Sequence, residues 1–202
     1  MLRKANIAVL VSGGGTNLQA LINAQKAGEI KSGEIRLVIA SNSEAYALTR
    51  AANAGIPAFV VSKKDCGSAE AMEAKLISLL EENRIDLIVL AGYLSILSAD
   101  FTRRYDHRIL NIHPSLIPSF CGAGFYGLRV HEAALRKGVK VTGATVHFVN
   151  EVPDGGEIIL QKAVDVQEGD TPEILQKRVM EQAEWILLPR AVELISSRLA
   201  ER

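Results

Sequence analysis

The chain has 202 residues, 48% of them hydrophobic and 23% charged, which is the make-up of an ordinary globular domain large enough to bury a full core. Its 23 basic and 23 acidic residues cancel, which argues against a broad nucleic-acid surface but leaves room for a small phosphate site. The two cysteines, Cys66 and Cys121, stand in no metal-binding spacing and predict a reduced, cytoplasmic setting, and no apolar run is long enough to span a membrane.

The N-terminal MLRKANIAVLV resembles a short signal sequence in its basic start. It reads better as a first strand over Asn6–Val11, because the apolar run is short and no small-residue cleavage pattern follows. SGGGTN comes next, and LQALINAQKAG then has helical spacing that stops on Gly28. Ile35–Ala40 is a second buried strand, Ala45–Ala54 a helix stopped by Gly55, and Pro57–Val61 a short strand. Ser68–Asn83 is an amphipathic helix with Ala71, Met72, Leu76, Leu79 and Leu80 on one stripe. Ile85–Leu90 and Arg108–Asn111 are further strands. Strands apolar throughout and alternating with helices predict an α/β fold with a mostly parallel sheet covered on both faces.

After Pro118 the pattern changes. SFCGAGFYG is rich in glycine and aromatics, and VHEAALRKG is a helix with a glycine stop. VKVTGATVHFV and EIILQKAVDV alternate like an antiparallel pair joined by NEVPDGG. Thr171–Leu199 reads as one long C-terminal helix with a kink at Pro189.

Ligands of open parallel sheets bind beyond the carboxyl ends of the strands, where SGGGTN, SNS, AGYLSIL and NIHPS converge. Gly13, Gly14 and Gly15 before a helix suit an anion at its N-terminus, although a plain tight turn has the same signature. No Lys follows as in a P-loop. Leu18 stands where a dinucleotide fingerprint needs glycine, so a small phosphorylated substrate remains.

His113 precedes Pro114, which holds it extended, and Asn111 lies two residues earlier on the same strand face. An amide and an imidazole side by side can stabilise one oxyanion, or merely satisfy loop carbonyls at a strand end. Asp154-Gly155 is first of all a hairpin turn, but a carboxylate folded over the rim would raise the pKa of His113 and hold it charged. His147 reads as a supporting residue, and His107 and His131 as solvated ones. Cys121 has no adjacent base and is a poor nucleophile, and no metal motif is present.

SGGGTNLQAL, AGYLSIL, NIHPSLIPSF and GATVHFVNEVPDGGEIILQ occur in the order and spacing of the phosphoribosylglycinamide formyltransferase family, which the chain resembles from Asn6 to about Leu194. The resemblance implies a Rossmann-like fold in one domain over 1–202, with a phosphate-binding half to about residue 110 and a folate and catalytic half beyond. It implies formyl transfer from 10-formyltetrahydrofolate, without a metal, to the amine of glycinamide ribonucleotide. Gly15, Thr16 and Asn17 would hold the phosphate and Glu184 the ribose. Leu94, Ser95, Ile96, Leu97 and Asn111 would line the folate site, and Asn111, His113 and Asp154 would be catalytic. The expected chemistry is direct amine attack, with Asn111 and a protonated His113 stabilising the oxyanion and Asp154 keeping the imidazole charged.

The chain departs from the family pattern in several places. Ala69 and Ser95 stand where relatives carry Arg, Trp185 where they carry His, and CGAGFYGLRVHEAAL is a longer, glycine-rich segment that reads as a flap. Lys63 or Lys64 is a candidate substitute for a missing Arg. Expected partners are the two small substrates, with no nucleic acid or membrane, in a monomer or homodimer. The rival readings are 10-formyltetrahydrofolate hydrolase, which normally has an extra N-terminal domain, methionyl-tRNA formyltransferase, which needs a tRNA-binding domain, and a non-catalytic phosphometabolite binder.

Overall fold

The computed structural model describes residues 3–201. Seven strands form one sheet in the order β3-β2-β1-β4-β5-β6-β7. β1 (Ala5–Val11), β2 (Gly33–Ala40), β3 (Ala58–Val60), β4 (Leu87–Leu90) and β5 (Ile109–His113) are parallel. β6 (Val141–Phe148) and β7 (Ile158–Asp165) add the expected antiparallel pair. Strand order reverses between β1 and β4, so their carboxyl ends open a crevice at the rim.

Each sheet face is covered because the central strands are apolar on both sides. Ile7, Val9 and Val11 pack with Leu18, Leu21, Leu188 and Val192 of α1 (Thr16–Lys26) and α8 (Trp185–Ala200). Ala8 and Leu10 pack on the other face with Leu76, Leu80 and Phe101 of α4 (Ala69–Glu82) and α5 (Ala99–Arg104). α2 (Ala47–Asn53), α3 (Lys63–Cys66), α6 (Leu128–Lys137) and α7 (Pro172–Val179) complete the helices. Ser68 caps α4 by accepting from the Ala71 N–H.

Several elements differ from the sequence reading, including the short α3, since the sequence predicts no helix between Val61 and Ser68. β5 runs on to His113 instead of stopping at Asn111, because β6 pairs Asn111 with His147 and His113 with Thr145. α5 was not expected; it is short, and its start is fixed by Ser98 accepting from the Phe101 N–H. The C-terminal helix is interrupted by a π-helical turn, Met180–Glu184, upstream of Pro189. Pro189 cannot donate to the Trp185 carbonyl, so the missing bond falls at the first residue after that turn. The wide turn leaves both Ala183 and Glu184 buried.

Candidate active site

The phosphate-loop candidates sit at the N-terminus of α1. Gly15 is its left-handed N-cap (φ 71°), and no side chain caps the helix. A Cβ at Gly15 would lie 2.7 Å from Cβ of Ala47, so glycine is required for both conformation and space. Among the described residues, the backbone N–H groups of Gly13 through Asn17 have no protein acceptor. Free amides at a helix N-terminus attract an anion. Asn17 Nδ2 donates to Glu184 Oε2 at 2.7 Å, which ties the loop to the π-helical turn. Glu184 is buried, and burial pushes its carboxyl up to about 7 against the opposing Asn17 hydrogen bond.

The sheet brings Asn111, His113 and Asp154 together. β6 ends beside the start of β5, and the loop that follows folds back so that Asp154 (φ 56°) reaches both side chains. Its Oδ2 lies 3.4 Å from His113 Nδ1 and accepts from the Gly122 N–H at 2.8 Å. Its Oδ1 lies 3.4 Å from Asn111 Nδ2 and 3.5 Å from His147 Nε2. Carbonyls only accept, so His113 Nε2–H donates to the Phe120 carbonyl (2.9 Å) and His147 Nδ1–H to that of Phe148 (2.7 Å). His147 Nε2 is thereby free to accept from Asn111 Nδ2 at 3.1 Å. This is the supporting role expected of His147.

Electrostatics correct one expectation. Burial lowers the pKa of His113 below its ordinary value and outweighs the raising effect of Asp154 and of the Phe120 carbonyl. His113 is therefore neutral at rest near pH 7, not held charged. Burial would raise Asp154, but His147, the charge of His113 and the Gly122 N–H together hold its carboxyl below the usual range. His131 is also corrected. It is fully buried, neither ring nitrogen has a partner among the described residues, and burial followed by repulsion from His113 pushes it down to about 4. Its neighbours Val130, Ala133 and Ala134 form the buried face of α6, a spacing that already placed His131 inward.

Two cavities meet at a wall formed by Asn111 and Asp154. One, of about 230 Å³, is bordered by Asn17, Asn111, His113, Asp154, His131 and Glu184. The other, of about 120 Å³, is bordered by Tyr93, Ile96, Leu97, Asn111, His147 and the Asn150–Asp154 loop. Asn111 and Asp154 line both. Leu94 borders the first cavity, and its N–H donates to Ser12 Oγ at 2.9 Å. Ile96 is 83% exposed and Leu97 buried, while Ser95 borders neither cavity. Lys63 and Lys64 border neither cavity as well. The glycine-rich flap covers the first: Gly122, Gly124 and Gly127 have positive φ, and Phe125 and Tyr126 face in. Among the described residues no cluster of His, Cys, Asp and Glu is arranged to hold a metal ion.

A glycine loop with free amides and an Asn111–His113–Asp154 cluster between two cavities of a Rossmann-like sheet suit a group-transfer enzyme. The chain belongs to the formyl transferase family, whose model matches residues 5–192. It is 41% identical to a glycinamide ribonucleotide transformylase of Symbiobacterium toebii, with a TM-score of 0.90, over 96% of this chain and 89% of that one. It is 46% identical to the trifunctional purine biosynthetic protein adenosine-3 of Gallus gallus over 96% of its length, but spans only 19% of that protein. A formyltetrahydrofolate deformylase of Pseudomonas putida is 30% identical, with a TM-score of 0.84, over 97% of this chain and 66% of that one.

Proposed function

We propose that the chain transfers the formyl group of 10-formyltetrahydrofolate to the amine of glycinamide ribonucleotide, a step of purine biosynthesis. The observation that carries this reading is the shared wall: Asn111 and Asp154 border both cavities, so two substrates can meet there. The ribonucleotide phosphate occupies the free amides from Gly13 to Asn17, and its ribose faces Glu184. Residues up to about 110 form the phosphate-binding half and the remainder the catalytic half. The folate lies along Leu94–Leu97 and the 150–154 loop, with its formyl carbon at the wall.

The neutral amine attacks the formyl carbon, and the carbonyl oxygen takes up charge beside Asn111 Nδ2. His113 Nδ1, unprotonated at rest, accepts the proton that the amine loses. The imidazolium so formed lies beside the Asp154 carboxylate, 3.4 Å away, which compensates its charge. When the tetrahedral centre collapses, that proton goes to the departing folate nitrogen. One C–N bond forms, one breaks, and no proton is consumed. No enzyme-bound formyl intermediate is needed. A cytoplasmic setting accompanies this reading and is supported by the two free cysteines.

The test is release of deformylated folate from 10-formyl-5,8-dideazafolate, followed spectrophotometrically with and without glycinamide ribonucleotide. Transfer predicts release only with the ribonucleotide. Release at equal rate without it would replace the proposal by hydrolysis, the activity named for the Pseudomonas putida relative.

A further inference from the structure

We infer that Arg50, on α2 and outside the catalytic wall, is a positioning residue that sets the direction of the phosphate-binding amides. The inference rests on the reading of Gly13–Asn17 as the phosphate site. Arg50 Nε donates to the Gly14 carbonyl at 2.8 Å, and its Nη1 donates to Gln19 Oε1 at 3.1 Å. The guanidinium thus bridges the back of the glycine loop and the first turn of α1. One residue pair away, the Ala47 N–H donates to the Gly13 carbonyl at 3.2 Å.

Peptide geometry converts these contacts into a direction. The C=O of one residue and the N–H of the next share a planar trans unit and point opposite ways. Holding the Gly14 carbonyl on Arg50 therefore turns the Gly15 N–H away from α2. Holding the Gly13 carbonyl on Ala47 does the same for the Gly14 N–H. These amides are among those without a protein acceptor among the described residues. A Cβ at Gly14 would have nothing within 4 Å, so there is open space beside that end of the Gly14–Gly15 peptide. Glycine also places little torsional restraint on it. Reversed, that peptide would present a carbonyl oxygen to the phosphate in place of an N–H. Tyr46, whose ring lies 5.0 Å beneath the guanidinium, and Gln19 hold Arg50 in the orientation that prevents this.

The experiment compares wild type with Arg50→Ala and Arg50→Lys, each checked by circular dichroism and melting temperature. Arg50→Ala should raise the KM and the calorimetric Kd for glycinamide ribonucleotide by about tenfold or more, the usual weight of a charge-assisted hydrogen bond. Its kcat at saturation and its KM for the folate should stay within about twofold, since the reacting groups are untouched. Lysine keeps the charge and one donor, so Arg50→Lys should recover part of the affinity. Arg50 also borders a groove of about 380 Å³ with Gln19, Asn23 and Trp185, through which a small ion can reach the vacated position. Millimolar guanidinium should therefore restore ribonucleotide affinity to Arg50→Ala, and urea should not.

Unchanged ribonucleotide affinity in folded Arg50→Ala would overturn the inference, as would an equal fall in kcat and in affinity for both substrates. Failure of both variants to fold would overturn it too, by making Arg50 a general structural residue. A wild type that binds no ribonucleotide would instead remove the functional reading beneath it.

Discussion

Asn17 and Glu184 stand 167 positions apart and share a buried hydrogen bond of 2.7 Å between the glycine loop and the π-helical turn. Burial holds the Glu184 carboxyl at about 7 against an ordinary 4.5. Between these values the folded chain binds the extra proton, so this residue makes stability fall as pH rises from 4.5 to 7. A difference of that size corresponds to roughly 3 kcal/mol. Glu184→Gln should therefore be more stable than wild type at pH 8 by up to that amount and similar to it at pH 4. Urea denaturation at both pH values reads this directly. Parallel stability curves for the two proteins would mean that Glu184 is ionised in the fold. On the proposed reading, in which Glu184 faces the ribose, the same variant should also bind glycinamide ribonucleotide more weakly, because its amide is a poorer acceptor for sugar hydroxyls than the carboxyl group it replaces.

His131 has the opposite sign. Its folded value is about 4 and its ordinary value 6.5, so the unfolded chain binds the extra proton in this window. Stability from His131 is complete above pH 6.5 and is lost as pH falls toward 4, again by roughly 3 kcal/mol. The two groups border one cavity and oppose each other between pH 4.5 and 6.5. Wild type should show a shallow profile there. His131→Leu should remove the acid loss and leave stability rising toward pH 4.5, while Glu184→Gln should steepen the fall. Identical slopes in all three proteins would contradict both assignments.

The sequence carried the parallel sheet because Ile7–Val11, Leu37–Ala40 and Leu87–Leu90 are apolar without interruption, a pattern that suits strands covered on both faces. Asn111 and His113 were legible from strand period alone. Asp154 was legible only as the lesser alternative to a plain turn, since Asp-Gly in a hairpin says nothing about where the loop folds, and the resemblance decided for it. The neutral state of His113 was illegible for another reason. Sequence shows a carboxylate partner but not the degree of burial that outweighs it. Arg50 was invisible because its role depends on a carbonyl of a loop 36 positions away. The π-helical turn leaves no composition signal, since Met180–Glu184 are ordinary helix formers.

On the proposed mechanism, the pH dependence of catalysis follows from His113 and Asp154. If His113 must be neutral to accept the amine proton, kcat/KM falls on the acid side as pH drops through its lowered pKa, below 6.5. Asp154 raises that pKa, so Asp154→Asn should move the acid limb to still lower pH while reducing the rate at its plateau by about 10²–10⁴-fold. His113→Ala should lose a similar factor and the acid limb with it, with ribonucleotide affinity largely kept. An acid limb unchanged in Asp154→Asn would separate the carboxylate from the imidazole, despite their 3.4 Å approach.

His147 provides the last test, because it acts only through Asn111. Its Nδ1–H is committed to the Phe148 carbonyl, and its Nε2 receives one hydrogen of the Asn111 amide. The second hydrogen points along the weak 3.4 Å contact with Asp154 and is the one available to a formyl oxygen. His147→Leu keeps much of the volume but frees the amide to rotate and present its carbonyl oxygen, which would repel the developing charge. The expected result is a loss in kcat of about 10²-fold, the weight of one displaced oxyanion donor, with both KM values nearly unchanged. His147→Gln, whose side-chain oxygen can accept from Asn111, should recover part of the loss. A His147→Leu enzyme with full kcat would show that Asn111 holds its direction unaided.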